Sequence, residues 1–331
     1  MKAHHCAVCG NPLYADNTHC ESCGTRQAYS RAERRIVPVD AAGTYVDADE
    51  RMWFTCRNGY LSGCTWLAST PGGQCSGCDL TRTRPNDDDL AGLAAFKVAE
   101  AAKRHLVIEL DALGCPVVDR HTDPERGLAF DLLSSADADV VTGHSEGVVT
   151  VDLAEGDDAR REHRRALLGE PYRTMLGHLR HEVGHYYQWL LVRDGDVLDG
   201  YRALFGDETA DYAAAVERHY AQGPPPGWEL EYLSAYATMH PFEDFAETWA
   251  HYLHITDAVE TAREFGLLDA DPAADDAPFR DVVTQVWVPL SIALNQMNRA
   301  MGAADVYPFV IPAPALDKLD WVASLVRAGE S

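Results

Sequence analysis

The chain has 331 residues, of which 46% are hydrophobic and 24% charged, a balance that excludes a disordered or low-complexity chain. Its 28 Lys and Arg against 52 Asp and Glu give a net charge of −24, which argues against a general affinity for nucleic acid or an anionic membrane, since both need a basic face. No stretch approaches the roughly 20 apolar residues of a membrane span; the longest uncharged apolar run, Val286 to Leu294, contains Pro289. The first residues hold no apolar signal core, so a cytoplasmic protein is the expectation.

In chain order, the cysteines come first. Eight of the nine lie within the first 78 residues, and only Cys115 falls later. In a reducing compartment this density points to metal ligation rather than disulfides. Cys6-x2-Cys9 and Cys20-x2-Cys23 are two knuckles, each placing two thiolates on one side of a metal, and Gly10 and Gly24 follow them where positive φ is needed. Cys56, Cys64, Cys75 and Cys78 form a less regular second quartet. Four thiolates close the shell of a Zn²⁺, so the reading is two structural zincs stapling a β-rich region. His4, His5 and His19 rank below the cysteines as ligands, and Cys115 reads as a buried thiol. Residues 1–84 hold nine basic and eight acidic residues, and residues 85–331 hold 19 and 44. We place a domain boundary there, with 1–84 as the zinc ribbon and 85–331 as a second domain.

The second domain reads as a helix over Leu90 to Leu113, then strands at Pro116 to Asp119, Gly127 to Leu133 and Gly147 to Leu153, with His144 to Gly147 as a turn. Helices dominate afterwards: from Pro171 to a stop at Gly195, then Glu208–Tyr220, Pro241–His254, Phe279–Met301 with a kink at Pro289, and Ala315–Arg327. Strands first and helices later give an α+β fold.

His181-Glu182-Val183-Gly184-His185 falls in this helical part. On a helix, residues i and i+4 share a face, so both imidazoles are able to hold one Zn²⁺ while Glu182 points toward a metal-bound water. Zinc lowers that water's pKa to about 7, and a carboxylate takes its proton. A catalytic zinc needs a third protein ligand, which is open at this point to His, Asp or Glu. The best donor segment is His240 to His251, where Glu243 and Glu247 stand at i and i+4 among Phe242, Phe245 and Trp249. The competing reading, a solvated acidic edge, fits those aromatic neighbours poorly.

HEVGH followed by a downstream Glu-x-x-x-Glu helix resembles the gluzincin metallopeptidases, the group containing thermolysin. With the CxxCG repeats, Cys78 to Pro85, Gly147 to Glu155, Gly169 to Thr174, Pro241 to His254 and Asn298 to Gly302, the whole chain resembles a bacterial family of zinc-binding metallopeptidases with an N-terminal zinc ribbon. The resemblance implies a gluzincin-like domain, mainly helical with a small sheet. It also implies His181, His185 and Glu243 as ligands of a third, catalytic zinc, Glu182 as the base, and Glu247 bonded to the far nitrogen of a ligand imidazole. Tyr236 takes the place of a Tyr that helps stabilise the oxyanion, although Pro241 intervenes and aromatic packing accounts for it equally well. Gly147 to Leu153 is, by position, the edge strand that pairs with a peptide.

His178 is better read as packing or as support for the site, and His251 and His254 as core or surface residues. Asn298 and Arg299 are weaker candidates for gripping a substrate carboxylate. The expected activity is hydrolysis of a peptide or isopeptide bond in a peptide or protein. The rival reading is a ribbon adaptor that binds a protein partner and whose peptidase fold hydrolyses nothing.

Overall fold

The computed structural model describes residues 2–135, 140–156, 174–192, 197–269 and 277–329. The expected helix start at Pro171 and stop at Gly195 lie outside these residues. The fold is mixed α+β, with small sheets in the N-terminal part and mainly helices after the central sheet. Among the described residues no helix is long and apolar enough to cross a membrane.

The ribbon begins with two knuckles of one design. Cys6 O accepts from Gly10 N and Cys20 O from Gly24 N, each at 2.8 Å, and both glycines take the left-handed conformation that closes the turn (φ 74° and 72°). Strands β1 (His4–His5) and β2 (Pro12–Leu13) pair, as do β3 (Gln27–Ser30) and β4 (Arg35–Pro38). A three-stranded sheet follows, from β5 (Thr44–Val46), β6 (Met52–Thr55) and β7 (Leu67–Ala68). Short helices α1 (Gly59–Ser62) and α2 (Ser76–Asp79) carry the chain past the second quartet.

Strand β8 (Thr81–Thr83) leaves the ribbon and enters the central sheet, whose order is β10-β11-β9-β8, with β9 at Ala129–Leu133, β10 at Gly143–Ser145 and β11 at Val148–Asp152. Two sequence expectations change here. Gly147 to Leu153 is not an edge, because β11 pairs with β9 on one side and β10 on the other; the segment expected as a turn at His144 supplies the edge strand. Pro116 to Asp119 forms no strand but only a single bridge, Asp119 to Leu128.

The helices follow the expected pattern with altered ends. Helix α3 (Leu90–Ala112) is capped by Asp89, which accepts from Gly92 N at 2.7 Å. Helix α4 (Met175–Leu191) carries the histidine motif and is capped by Thr174. Helix α5 spans Val197–Phe205. Helix α6 (Tyr212–Gln222) starts later than Glu208, because Asp211 is the cap and Glu208 pairs with Arg202 instead. Helix α7 (Pro241–Glu264) has Pro241 in its first turn, where no N–H is missed, and runs well past His254. Where a kink is expected, at Pro289, the helix changes its winding just before the proline. A short helix α8 (Phe279–Asp281) widens into a π-helical stretch, Val282–Trp287, that leads into α9 (Val288–Ala300); a wider turn accommodates a ring that has no N–H to donate. Helix α10 (Ala313–Gly329) closes the chain.

One buried cluster runs from the ribbon cysteines and Trp66 through α3 into α4 and α7. Tyr187 of α4 stacks on Trp249 of α7 at 4.6 Å, and Val183 and Phe245 are fully buried nearby. This packing brings the histidine motif beside the first turn of α7.

Candidate metal centre

On α4, His181 and His185 stand one turn apart with ring centroids separated by 4.9 Å. Glu243 comes from the first turn of α7, and its Oε2 lies 3.1 Å from His181 Nε2 and 3.4 Å from His185 Nε2. Nitrogen and oxygen ligands about 2.0–2.1 Å from a tetrahedral zinc stand roughly 3.3 Å from one another. The donor chemistry and these spacings therefore fit a zinc ion, with room for a further ligand.

Each of these side chains has a holder. His181 Nδ1 lies 2.7 Å from Glu247 Oε1, and Ser234 Oγ donates to Glu247 Oε2 at 2.6 Å. Burial works against charge on Glu247, but its hydrogen bond to His181 brings it down to about 2. Glu182 is 5% exposed. His178 Nε2 lies 3.3 Å from its Oε1, while its Oε2 is buried with no hydrogen-bond partner among the described residues. Burial opposes ionisation of Glu182 too, yet the hydrogen bond from His178 holds it below the usual carboxylate range. Tyr212 donates to Glu243 Oε1 at 2.8 Å. The Tyr236 ring lies 5.9 Å from that of His181.

A cleft of about 660 Å³ opens over these residues. Trp189, Val192, Leu198 and Phe242 give it an apolar wall, and the edge strand β10 forms one side. On that strand His144 accepts from Gly147 N at 3.0 Å. Burial brings the His144 imidazole down to about 4, so it is neutral at ordinary pH.

The ribbon quartets close in the same manner. In the first, Cys6 and Cys23 are 3.7 Å apart and Cys9 and Cys20 are 3.6 Å apart; in the second, Cys56 and Cys78 are 3.7 Å apart and Cys64 and Cys75 are 3.5 Å apart. Thiolates about 2.3 Å from a tetrahedral zinc stand roughly 3.8 Å apart, so both quartets fit a zinc whose shell is complete. Cys9 and Cys23 are exposed, whereas all four cysteines of the second quartet are buried.

Residues 92–325 match the family model described as "Putative zinc-binding metallo-peptidase". The chain belongs to this family. Residues 3–89 match a zinc-ribbon domain. Proteins named only as uncharacterized, from Mycobacterium bovis and from two strains of Mycobacterium tuberculosis, are 47% identical over 98% of this chain and 95% of theirs. No solved structure matches the chain.

In this member of the family the other sequence candidates fall outside the centre. Arg299 pairs with Asp305, and Asn298 donates to Ala304 O; neither lines the cleft. His251 is buried in α7, and its Nδ1 lies 2.7 Å from the Tyr307 hydroxyl. Sequence reasoning missed Tyr212 and Ser234. Neither belongs to a spaced motif: Tyr212 stands 31 positions before Glu243, and Ser234 lies outside any long helix. Asp211 marked a helix start at Tyr212, but nothing marked its hydroxyl as part of the site.

Proposed function

We propose that the protein is a zinc-dependent peptidase that hydrolyses an amide bond in a peptide or protein, with Glu182 as the general base. The observation that carries this reading is the Glu182 carboxylate beside the His181, His185 and Glu243 triad, with one oxygen held by His178 and the other buried and, among the described residues, unpartnered. A buried acceptor without a donor is costly unless a ligand meets it, and a water poised for attack is such a ligand.

Zinc held by the triad supplies the Lewis acidity that brings a water to a pKa of about 7 and polarises a carbonyl. The protein's own groups do the rest. Glu182 Oε2 takes a proton from the attacking water and delivers it to the leaving amine nitrogen as the C–N bond breaks, yielding a carboxylate and an amine. Glu247 fixes the tautomer and orientation of His181. The free edge of β10 offers backbone groups to an extended peptide, and the apolar wall excludes water from the cleft.

The test is Glu182→Gln, assayed on a mixed-sequence fluorogenic peptide library with zinc counted by mass spectrometry. The variant should keep all three zincs and lose about 10²–10⁴ in rate. Turnover equal to the wild type would overturn the assignment of the base.

A further inference from the structure

The two oxygens of Glu243 have different company. Oε2 faces both imidazole nitrogens, at 3.1 and 3.4 Å, while Oε1 accepts the Tyr212 hydroxyl at 2.8 Å. Tyr212 is the first residue of α6, whose start is secured by the Asp211 cap. Its ring is wedged edge-on against His240 at 5.3 Å and lies 6.5 Å from Phe242. Those two residues flank Pro241 at the start of the helix that carries Glu243, so the hydroxyl and the carboxylate are held in register by one packing arrangement.

A carboxylate with both oxygens free is able to chelate a zinc through both, and the second oxygen then occupies the position a catalytic site leaves to water. A donor on one oxygen removes that option. We propose that Tyr212 is a positioning residue that holds Glu243 as a one-oxygen ligand, preserving a position for water at the metal. The catalytic consequence rests on the peptidase reading, whereas the coordination number needs no substrate to be measured.

The experiment compares wild type and Tyr212→Phe after cobalt is loaded into the His/Glu site alone, with zinc kept in both thiolate clusters. Visible absorption is read first, then kcat and KM on the peptide library. Phenylalanine keeps the ring packing, and Tyr212 is 41% exposed, so the fold should tolerate the change. Four-coordinate cobalt absorbs intensely and five-coordinate cobalt weakly. In Tyr212→Phe the band should weaken severalfold and kcat fall about 10–100-fold, the range for losing a group that orients a metal ligand, with KM little changed. An unchanged spectrum in Tyr212→Phe overturns the proposal whatever happens to kcat. If the wild type cleaves no peptide, the peptidase reading fails while the spectra still decide the coordination question.

Discussion

At the scale of single residues, the site depends on which oxygen or nitrogen each partner occupies. His178 lies one turn before Glu182 on α4, near its Oε1. Its hydrogen bond is the largest of the influences that oppose burial of this 5% exposed carboxylate, ahead of the charges of His181 and His185. Removing it weakens that opposition, and burial favours the neutral acid. The sign is therefore definite: in His178→Ala the base protonates at higher pH than in the wild type, and the acid limb of the kcat/KM profile moves up in pH. His178→Gln, which keeps a donor, should move it less. A pH–rate profile with an unmoved acid limb in His178→Ala would show that the histidine does not tune the base.

At the scale of elements, the decisive contact is the crossing of α4 and α7. Gly184 is the fourth residue of the His181–His185 motif, and a Cβ built there would meet Ala246 Cα at 2.9 Å and Trp249 Cβ at 3.2 Å. The glycine permits the close approach that lets Glu243 reach both imidazoles. Gly184→Ala should push the helices apart at a cost of about 1–3 kcal/mol, as overpacking does. It should also weaken zinc binding at the His/Glu site while leaving both cysteine sites loaded. Thermal unfolding and zinc stoichiometry check this together; a variant with full zinc and an unchanged Tm would refute it. One turn before Gly184 on the same face of α4, Arg180 ties three helices together. Its Nε donates to Glu109 of α3 at 3.0 Å and its Nη2 to Asp257 of α7 at 2.9 Å, where His105 Nε2 also lies 2.9 Å from Asp257. The motif helix is thus held to α7 by a glycine contact and, one turn away, by a buried ionic network.

At the scale of the whole molecule, the ribbon and the peptidase part share a core. Cys78 Sγ lies 3.9 Å from Glu100 of α3, and Glu100 Oε1 accepts from Thr81 Oγ1 and from Lys103 Nζ, each at 2.5 Å. Both Glu100 and Lys103 are fully buried. Arg104 donates to the carbonyls of Ser62 and Gly63 between the cysteines of the second quartet. Arg31 makes a two-pronged bond to Asp111, and Lys2 pairs with Glu260 near the end of α7. Buried charges separated from their setting are strongly destabilising, at about 3–5 kcal/mol when one partner is removed. Loss of the second zinc should therefore destabilise the peptidase part as well. Cys78→Ser should unfold in one broad transition at much lower temperature and lose activity, whereas Cys23→Ser, altering an exposed ligand of the first site, should lose one zinc and keep most of its activity. Calorimetry showing an undisturbed main transition in Cys78→Ser would refute this coupling.

Periodicity and spacing alone revealed the parts whose chemistry is local. Two thiolates in a knuckle, two imidazoles one helical turn apart and a carboxylate pair on the next turn of another helix are each defined by neighbours three or four positions away, and the helices that carry them follow from the same short-range pattern. Distance along the chain hid the rest. The edge strand depended on β10 pairing outside β11, a matter of sheet order that alternation within one strand does not encode. Tyr212 on Glu243, Ser234 on Glu247 and Gly184 against Ala246 are contacts between segments whose meeting is decided only when α4, α6 and α7 pack. From residue order alone came the metals this chain is equipped to hold; from tertiary packing came which oxygen of Glu243 faces the imidazoles, which strand borders the cleft and how firmly the ribbon is joined to the rest, because those depend on side chains far apart in sequence sharing one buried volume.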